Sequence, residues 1–176
     1  MYHWILKPFS TLSPQELYAL IRLRSQVFVV EQNCVFQDLD GKDIDCHHLM
    51  GWIDSLPAPV PGSGTPPGGV QPPHGPGTPG GAAPLLAAYA RIVPPGMSYP
   101  EPSIGRVVTA PEARGRGAGK ALMEQAIGQV YALFGRQPIR IGAQQYLERF
   151  YGSLGFAQTS EMYLEDNIPH IEMVKK

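Results

Sequence analysis

The sequence has little charge for its 176 residues and no long apolar run. Charged residues make up 16% of it and the formal net charge is -1, so no overall field attracts nucleic acid or an anionic membrane, and neither is expected as a partner. No stretch approaches the roughly 20 apolar residues that span a bilayer, and the N-terminus has no basic segment followed by an apolar run. We therefore expect a cytoplasmic protein that binds any anion through a local site.

Cysteine is also scarce, with Cys34 and Cys46 alone. Their spacing is not Cys-x-x-Cys and nothing else indicates a secreted disulfide scaffold, so reduced structural thiols are expected. His47 and His48 beside Cys46 fall short of the clustered Cys and His ligands that a zinc site needs. The sequence therefore predicts no metal.

A segment at about 56–84 consists mainly of proline and glycine, and it lacks aromatic residues and apolar periodicity. Such a composition buries too little apolar surface to offset the entropy of ordering the chain. A chain of this length is typical of one domain. We interpret residues 1–176 as a single domain that is interrupted by a flexible surface insertion.

Hydrophobic periodicity outlines the elements on either side of that insertion. Ser13, Pro14 and Glu16 form a capping-box pattern that begins a helix running to about Gln26. In chain order the patterns then predict strands at 48–53, 85–93 and 104–109, a helix that ends near Gly135, a strand at 139–143, a helical stripe at 147–154, and a closing antiparallel hairpin that turns at Asp166-Asn167. This order of elements is typical of an α/β (α+β) protein.

A glycine-rich loop lies between the predicted strand at 104–109 and the helix after it. It consists of Arg114, Gly115, Arg116, Gly117, Ala118, Gly119 and Lys120. A strand that enters such a loop and then a helix directs free backbone N–H groups, and the positive end of the helix dipole, at one point. Glycine lets the backbone approach closely, and the basic side chains add positive charge. The loop therefore predicts a pyrophosphate site, with an ordinary tight turn bearing solvated basic residues as the alternative.

Two familiar phosphate-binding motifs do not fit this loop. The dinucleotide fingerprint requires glycine three residues after Gly117, where the chain has Lys120. A P-loop ending at Gly119-Lys120 requires glycine at 114 and Ser or Thr at 121, where the chain has Arg114 and Ala121. The loop therefore belongs to neither class.

The same residues closely resemble the acetyl-coenzyme A motif of the GCN5-related N-acetyltransferase (GNAT) superfamily, in which Arg or Gln is followed after two residues by Gly, and after one more by Gly or Ala. Arg114, Gly117 and Gly119 match that pattern in register. Downstream, the segment 150–156 looks like the family's aromatic-Tyr helix end followed by Gly-Phe. The segments 24–32 and 168–171 further resemble the ElaA-like branch.

The resemblance implies the GNAT-type acyl-CoA N-acyltransferase fold, with a mixed central sheet flanked by helices and a splayed central strand pair. It implies that an acetyl group moves from acetyl-CoA directly to an amine, through a tetrahedral intermediate, without a metal. The loop residues 114–120 would hold the pyrophosphate. Backbone groups of Val107, Val108 and Thr109 would pair with the pantetheine arm and supply the oxyanion donor. No recognisable nucleophile motif argues for a covalent enzyme intermediate.

The resemblance also assigns candidate catalytic side chains. Tyr151 matches the family's general acid, and a phenol remains protonated at neutral pH, although core packing on its apolar stripe is an alternative role. Glu31 and His170 are the candidates for the general base, with a surface carboxylate and a hydrogen-bonded histidine as their ordinary roles. Gln144 stands where the family often has Asn, which weakens the case for a pantetheine contact there. The aspartates at 38, 40 and 43 are interpreted as a polar, solvated loop, with contact of one of them with an amine as the alternative.

Three functions remain open on the sequence. The first is an enzyme that acetylates a small amine or a peptide amine. The second is a catalytically silent acyl-CoA-binding sensor. The third is an acyl-homoserine lactone synthase, because the segment 24–31 resembles the N-terminal motif of that family. The expected partners are acetyl-CoA and an amine acceptor, and a homodimer is left open.

Overall fold

The computed structural model describes residues 1–54 and 84–176. The insertion predicted at about 56–84 therefore lies outside the described residues, apart from its last position. In chain order the elements are β1 (His3–Pro8), α1 (Pro14–Arg24), β2 (His47–Ile53), β3 (Leu85–Val93), β4 (Ser103–Thr109), α2 (Ala118–Phe134), β5 (Ile139–Gln144), α3 (Glu148–Ser153), β6 (Ala157–Gln158), β7 (Tyr163–Glu165) and β8 (Ile168–Lys175).

The eight strands of the described residues belong to one mixed sheet, in the order β1-β2-β3-β4-β5-β8-β6, and β7 pairs with another part of β8. Every pairing is antiparallel except that of β4 with β5, which are parallel and joined through α2. In the described part of the chain these two strands share a single register pair, Ser103 with Arg140. They therefore diverge beyond Ser103, which confirms the predicted splayed pair and opens a cleft in the middle of the sheet.

Helices cover the sheet on both faces. Successive residues of a strand point to opposite faces, and β3 contributes Ala88, Ala90 and Ile92 to the core beneath α2. Its intervening residues Ala87 and Tyr89 join the core beneath α1. Burial on both faces explains why β3 is a nearly continuous apolar run and not an alternating one.

The local signals at the two ends of the chain behave as predicted. The hydroxyl of Ser13 accepts from the Glu16 N–H, and the Glu16 carboxylate accepts from the Ser13 N–H, which confirms the capping box. Asp166 and Asn167 form the hairpin turn with φ values of 51° and 64°. The first helix departs from the prediction, because α1 ends at Arg24 and continues as a π-helical segment, Ser25–Glu31.

Candidate functional site

The glycine-rich loop has the backbone geometry that glycine permits. Gly115 and Gly117 have φ values of 71° and 77°, in the left-handed region that residues with a side chain rarely occupy. Gly117 is the N-cap of α2, and the first helical hydrogen bond runs from the Ala121 N–H to the Gly117 carbonyl at 3.0 Å. Within the described residues no side chain caps this helix. The N–H groups of residues 118–120 therefore point out of the helix end with no capping side chain.

The third glycine of the loop plays a different part. Gly119 lies inside the first turn of α2, and a Cβ built there would lie 3.7 Å from Cζ of Phe150. Phe150 belongs to α3, so this contact joins the predicted phosphate loop to the helix that carries Tyr151. Apart from Gly117 and its two chain neighbours, no described atom lies within 4 Å of a Cβ built at Gly117, so the space beside that residue is open.

The basic side chains of the loop connect it to the end of the π-helical segment. Arg114 Nη1 and Nη2 donate to the two carboxylate oxygens of Glu31, at 2.5 and 2.9 Å. Both partners are about 40% exposed. Arg116 is half-buried, and Lys120 is exposed and lies 3.9 Å from Glu124 on the next turn of α2. The structure thus brings the candidate base Glu31 to the glycine-rich loop.

Strand β4 is irregular directly before residues 107–109. The register between β3 and β4 shifts by one residue between Tyr89 and Arg91, so β4 contains an extra residue, a β-bulge. Arg106 lies in this bulge with a φ of 50°. Because β5 has already diverged, residues 107–109 border the cleft without a β5 ladder partner in the described chain.

Tyr151 lies in α3 on the α2 side of the sheet. Its ring is packed edge-on against Phe150 and Phe156, with centroid distances of 5.0 and 6.1 Å, and its side chain is 6% exposed. Burial raises the pKa of its phenol to about 12. The hydroxyl therefore remains protonated across the physiological range, as a proton donor must be.

His170 lies on β8 opposite Gln144, the last residue of β5. Its Nδ1 lies 2.8 Å from the Ile168 carbonyl. Because a carbonyl only accepts, Nδ1 must carry the proton, and Nε2 is then the basic nitrogen of the neutral ring. The ring also stacks on Tyr163, with centroids 6.0 Å apart.

A cavity of about 420 Å³ is lined in part by Ile168, whose carbonyl accepts from His170. It is lined by Gln32, Asn33, Cys34, Val35, Asp166, Asn167 and Ile168, from the chain after the π-helical segment and from the β7–β8 turn. Gln144 donates to the Gln32 side chain at 3.3 Å, so the cavity reaches the cleft end of β5. Glu31 pairs with Arg114 of the glycine-rich loop, and the next residue, Gln32, lines the cavity. These two neighbouring residues therefore connect the glycine-rich loop to the cavity.

The expectation of a solvated loop at Asp38, Asp40 and Asp43 is wrong. Asp38 and Asp43 are buried, and Arg24 beneath them is 0% exposed. Three arginines from α1, β3 and β4 pair with the three aspartates. The ion pairs are Arg24–Asp38 at 2.8 Å, Arg24–Asp43 at 2.7 Å, Arg91–Asp40 at 2.7 Å, Arg91–Asp43 at 3.0 Å, Arg106–Asp38 at 2.7 Å and Arg106–Asp40 at 3.4 Å. We call this set the arginine–aspartate network.

The sequence did contain a signal for this network. Arg91 and Arg106 each interrupt an otherwise apolar strand, and a charged residue in such a run is rarely buried without a partner. Two arginines in apolar strands need acidic partners, and the aspartate-rich segment supplies them. Composition alone made the loop look solvated because it did not show which strand faces lie beneath it.

Acid should weaken the network. Burial by itself would raise the pKa of Asp40, but its hydrogen bonds to Arg91 and the positive charges of Arg91 and Arg106 outweigh burial and lower it. Burial also opposes ionisation of Asp43, but its hydrogen bonds to Arg24 and Arg91 and their positive charges lower the pKa of Asp43 in the same way. Their stabilisation is complete above the unfolded-state pKa of about 4 and is lost as the pH falls through the folded-state values. We expect the free energy of unfolding, measured by urea denaturation, to fall steadily below about pH 4.

Asp40→Asn provides the comparison for that titration, because it removes one of the carboxylates whose pKa is lowered. The variant should be less stable at neutral pH and should lose less stability on acidification than the unmodified protein. An identical loss in both proteins would mean that Asp40 does not contribute to the acid sensitivity.

Within residues 1–54 and 84–176, no group of three or more His, Cys, Asp or Glu side chains is arranged to hold a metal ion. None of the helices in those ranges is long and apolar enough to cross a membrane. The buried thiol of Cys46 has its pKa raised to about 11 by burial, so it remains a thiol.

Comparison with known proteins agrees with this geometry. The acetyltransferase (GNAT) domain profile matches residues 85–176. Protein ElaA of Escherichia coli is 35% identical, over 100% of this chain and 97% of its own, and its crystal structure superposes with a TM-score of 0.78 over the whole of both chains. An acyl-CoA N-acyltransferase from Pseudomonas aeruginosa is 37% identical, with a TM-score of 0.80 and full coverage of both chains. The chain therefore belongs to the GNAT acetyltransferase family and is a homologue of ElaA.

Proposed function

We propose that this protein transfers an acetyl group from acetyl-CoA directly to an amine. The observation that carries the proposal is the N-terminus of α2 at Gly115 and Gly117, which no described side chain caps and which lies next to a splayed strand pair. A helix end of this kind attracts a pyrophosphate, and the cleft beside it accepts an extended chain. The Pseudomonas aeruginosa relative, which is described as an acyl-CoA N-acyltransferase, supports the same donor class.

The donor would lie across the loop and the cleft. The N–H groups of residues 114–120 and the loop's basic side chains would hold the pyrophosphate. The backbone of residues 107–109 would pair with the pantetheine arm in place of a β5 neighbour. One of its N–H groups would donate to the thioester oxygen as negative charge develops there. The open space at Gly117 supports this placement, because a side chain would occupy it.

The transfer requires the amine nitrogen to attack the thioester carbonyl carbon. A C–N bond forms and a tetrahedral intermediate results, after which the C–S bond breaks to give an amide and the thiol of coenzyme A. The amine loses one proton to a base, and the departing thiolate takes one proton from the Tyr151 hydroxyl. The pKa of Tyr151 is raised to about 12 by burial, so its hydroxyl still carries its proton when the thiolate departs.

Glu31 and His170 remain the candidates for the base, and each is next to a residue that lines the cavity. Glu31 precedes Gln32 in the chain, and His170 is hydrogen-bonded to the Ile168 carbonyl. Glu31 is paired with Arg114, so it becomes available only when that arginine engages another anion, such as the donor's pyrophosphate. His170 presents a basic Nε2 when its ring is neutral. The cavity of about 420 Å³ is our choice for the acceptor pocket, and its volume suits a small amine or the end of a peptide.

The proposal is tested by following thiol release from acetyl-CoA with a panel of small amines and amine-bearing peptides. We expect amide formation, confirmed by mass spectrometry, with a subset of the panel. The same panel with Glu31→Gln and His170→Ala identifies the base, whose loss should lower kcat about 100-fold or more. Binding of acetyl-CoA without turnover on any amine would instead favour the sensor. Turnover that requires acyl-carrier protein and S-adenosylmethionine would favour the lactone synthase.

A further inference from the structure

The bulge of β4 places a non-glycine residue in an unfavourable backbone conformation. Arg106 has a φ of 50°, in the left-handed region, which residues with a Cβ adopt at a cost. Such a conformation persists when surrounding contacts hold it in place. The contacts that hold Arg106 therefore determine the path of β4 directly before residues 107–109.

The contacts of the Arg106 side chain come from residues 36–40, a segment that we call the aspartate loop. Arg106 Nε donates to the Asp38 carboxylate at 2.7 Å, and Nη2 donates to the Asp38 carbonyl at 3.2 Å and to the Asp40 carboxylate at 3.4 Å. The guanidinium also lies over the Phe36 ring, 5.8 Å from its centroid. The planar guanidinium of Arg106 therefore donates to several acceptors at once while its face lies on an aromatic ring. The ammonium group of a lysine cannot make the same set of contacts.

The aspartates are themselves fixed to the sheet and to α1. Asp38 accepts from Arg24 at 2.8 Å, and Asp40 accepts from both nitrogens of the Arg91 fork at 2.7 Å. Arg24 and Arg91 are buried, so these anchors are rigid. Arg106 therefore ties the bulge to a fixed framework and not to a freely moving loop.

The aspartate loop also continues directly from the chain that lines the cavity. Residues 32–35 form one wall of the cavity, and Phe36, Asp38 and Asp40 follow within a few residues. One side chain thus joins the bulge beside the cleft to the segment beside the acceptor pocket. A shift of about 1 Å in the β4 bulge or in that segment is enough to lower the rate roughly 100-fold, because the two reactants must meet in one geometry.

We propose that Arg106 is a positioning residue, which fixes the β4 bulge and the acceptor-side loop relative to each other through Asp38 and Asp40. The inference rests on the proposed function, because the bulge directly precedes residues 107–109 of β4, which that function assigns to the thioester. Arg106 itself touches neither reactant. Its loss should therefore lower kcat while the phosphate loop continues to bind the coenzyme.

Arg106→Gly is the sharpest test, because glycine accepts a φ of 50° without strain but makes none of the side-chain contacts. We expect kcat to fall about 10- to 100-fold, with the dissociation constant of coenzyme A, measured by calorimetry, unchanged within about twofold. Amide hydrogen exchange at Val107 and Val108, followed by NMR, should accelerate at least about tenfold as the bulge loosens. Arg106→Lys should restore part of kcat, since it keeps the charge without the fork.

Arg22→Lys, at an exposed position of α1, is the matched control. It should leave both kcat and the exchange rates at Val107 and Val108 unchanged. A wild-type kcat in Arg106→Gly, with wild-type exchange at Val107 and Val108, would overturn the inference. The exchange measurement does not depend on turnover. If the wild-type protein acetylates no amine, the proposed function fails, while accelerated exchange in Arg106→Gly would still support the tether and unchanged exchange would still overturn it.

Discussion

Replacing Tyr151 with phenylalanine should lower kcat by about 100- to 10,000-fold, the usual contribution of a positioned general acid. Phenylalanine keeps the edge-on packing against Phe150 and Phe156 and removes only the hydroxyl. The dissociation constant of coenzyme A should stay within about twofold, because the α2 N-terminus and its loop are unchanged. Steady-state thiol release and calorimetric titration with coenzyme A measure the two quantities separately.

The control for this variant is Tyr146→Phe, which removes the same hydroxyl from a tyrosine that is 74% exposed. It should retain wild-type kinetics. A second arm uses an acetyl thioester whose thiol is more acidic than that of coenzyme A, because such a leaving group needs less help from an acid. Tyr151→Phe should be less impaired with that thioester. Equal turnover of Tyr151→Phe and the wild-type protein with acetyl-CoA would remove Tyr151 from the mechanism and leave it a core residue.

The parts of the fold that follow from local sequence were predictable. The capping box at Ser13, the hairpin turn at Asp166-Asn167 and the helix end at Gly135 depend on a few neighbouring residues, and the structure contains each of them. The loop glycines follow the same rule, since Gly115 and Gly117 are required by their own backbone angles. Gly119 is different, because its neighbour Phe150 comes from another helix.

The features that sequence reasoning missed depend on contacts between distant segments. The β4 bulge at Arg106 is held by Asp38 and Asp40, which lie 68 and 66 residues earlier in the chain. The pairing of Glu31 with Arg114 spans 83 residues and joins the candidate base to the donor loop. Periodicity reports which face of an element is buried, but it does not report which charged groups meet there. The cavity proposed as the acceptor pocket could not be predicted from the sequence for the same reason, since two segments distant in the chain form it.

Gly117→Val should raise the dissociation constant of coenzyme A on the order of 100-fold, and it should do so for two additive reasons. A β-branched residue is strongly disfavoured at a φ of 77°, so the loop must change conformation to accept it. Whatever backbone angle results, the new side chain enters the open space next to the N–H groups of the α2 N-terminus, where the pyrophosphate would lie. Calorimetric titration with coenzyme A measures the loss.

Gly128→Val separates this effect from a general disturbance of α2. Gly128 is an exposed glycine in the middle of the same helix, and no described atom outside its chain neighbours and the adjacent helix backbone lies within 4 Å of a Cβ built there. Valine has a higher helix propensity than glycine, so the control should fold at least as well as the wild-type protein and bind coenzyme A normally. Thermal unfolding of both variants shows whether the binding loss exceeds the loss of stability. Normal coenzyme binding by Gly117→Val would mean that the anion site lies elsewhere, because no pyrophosphate could occupy that helix end beside the valine.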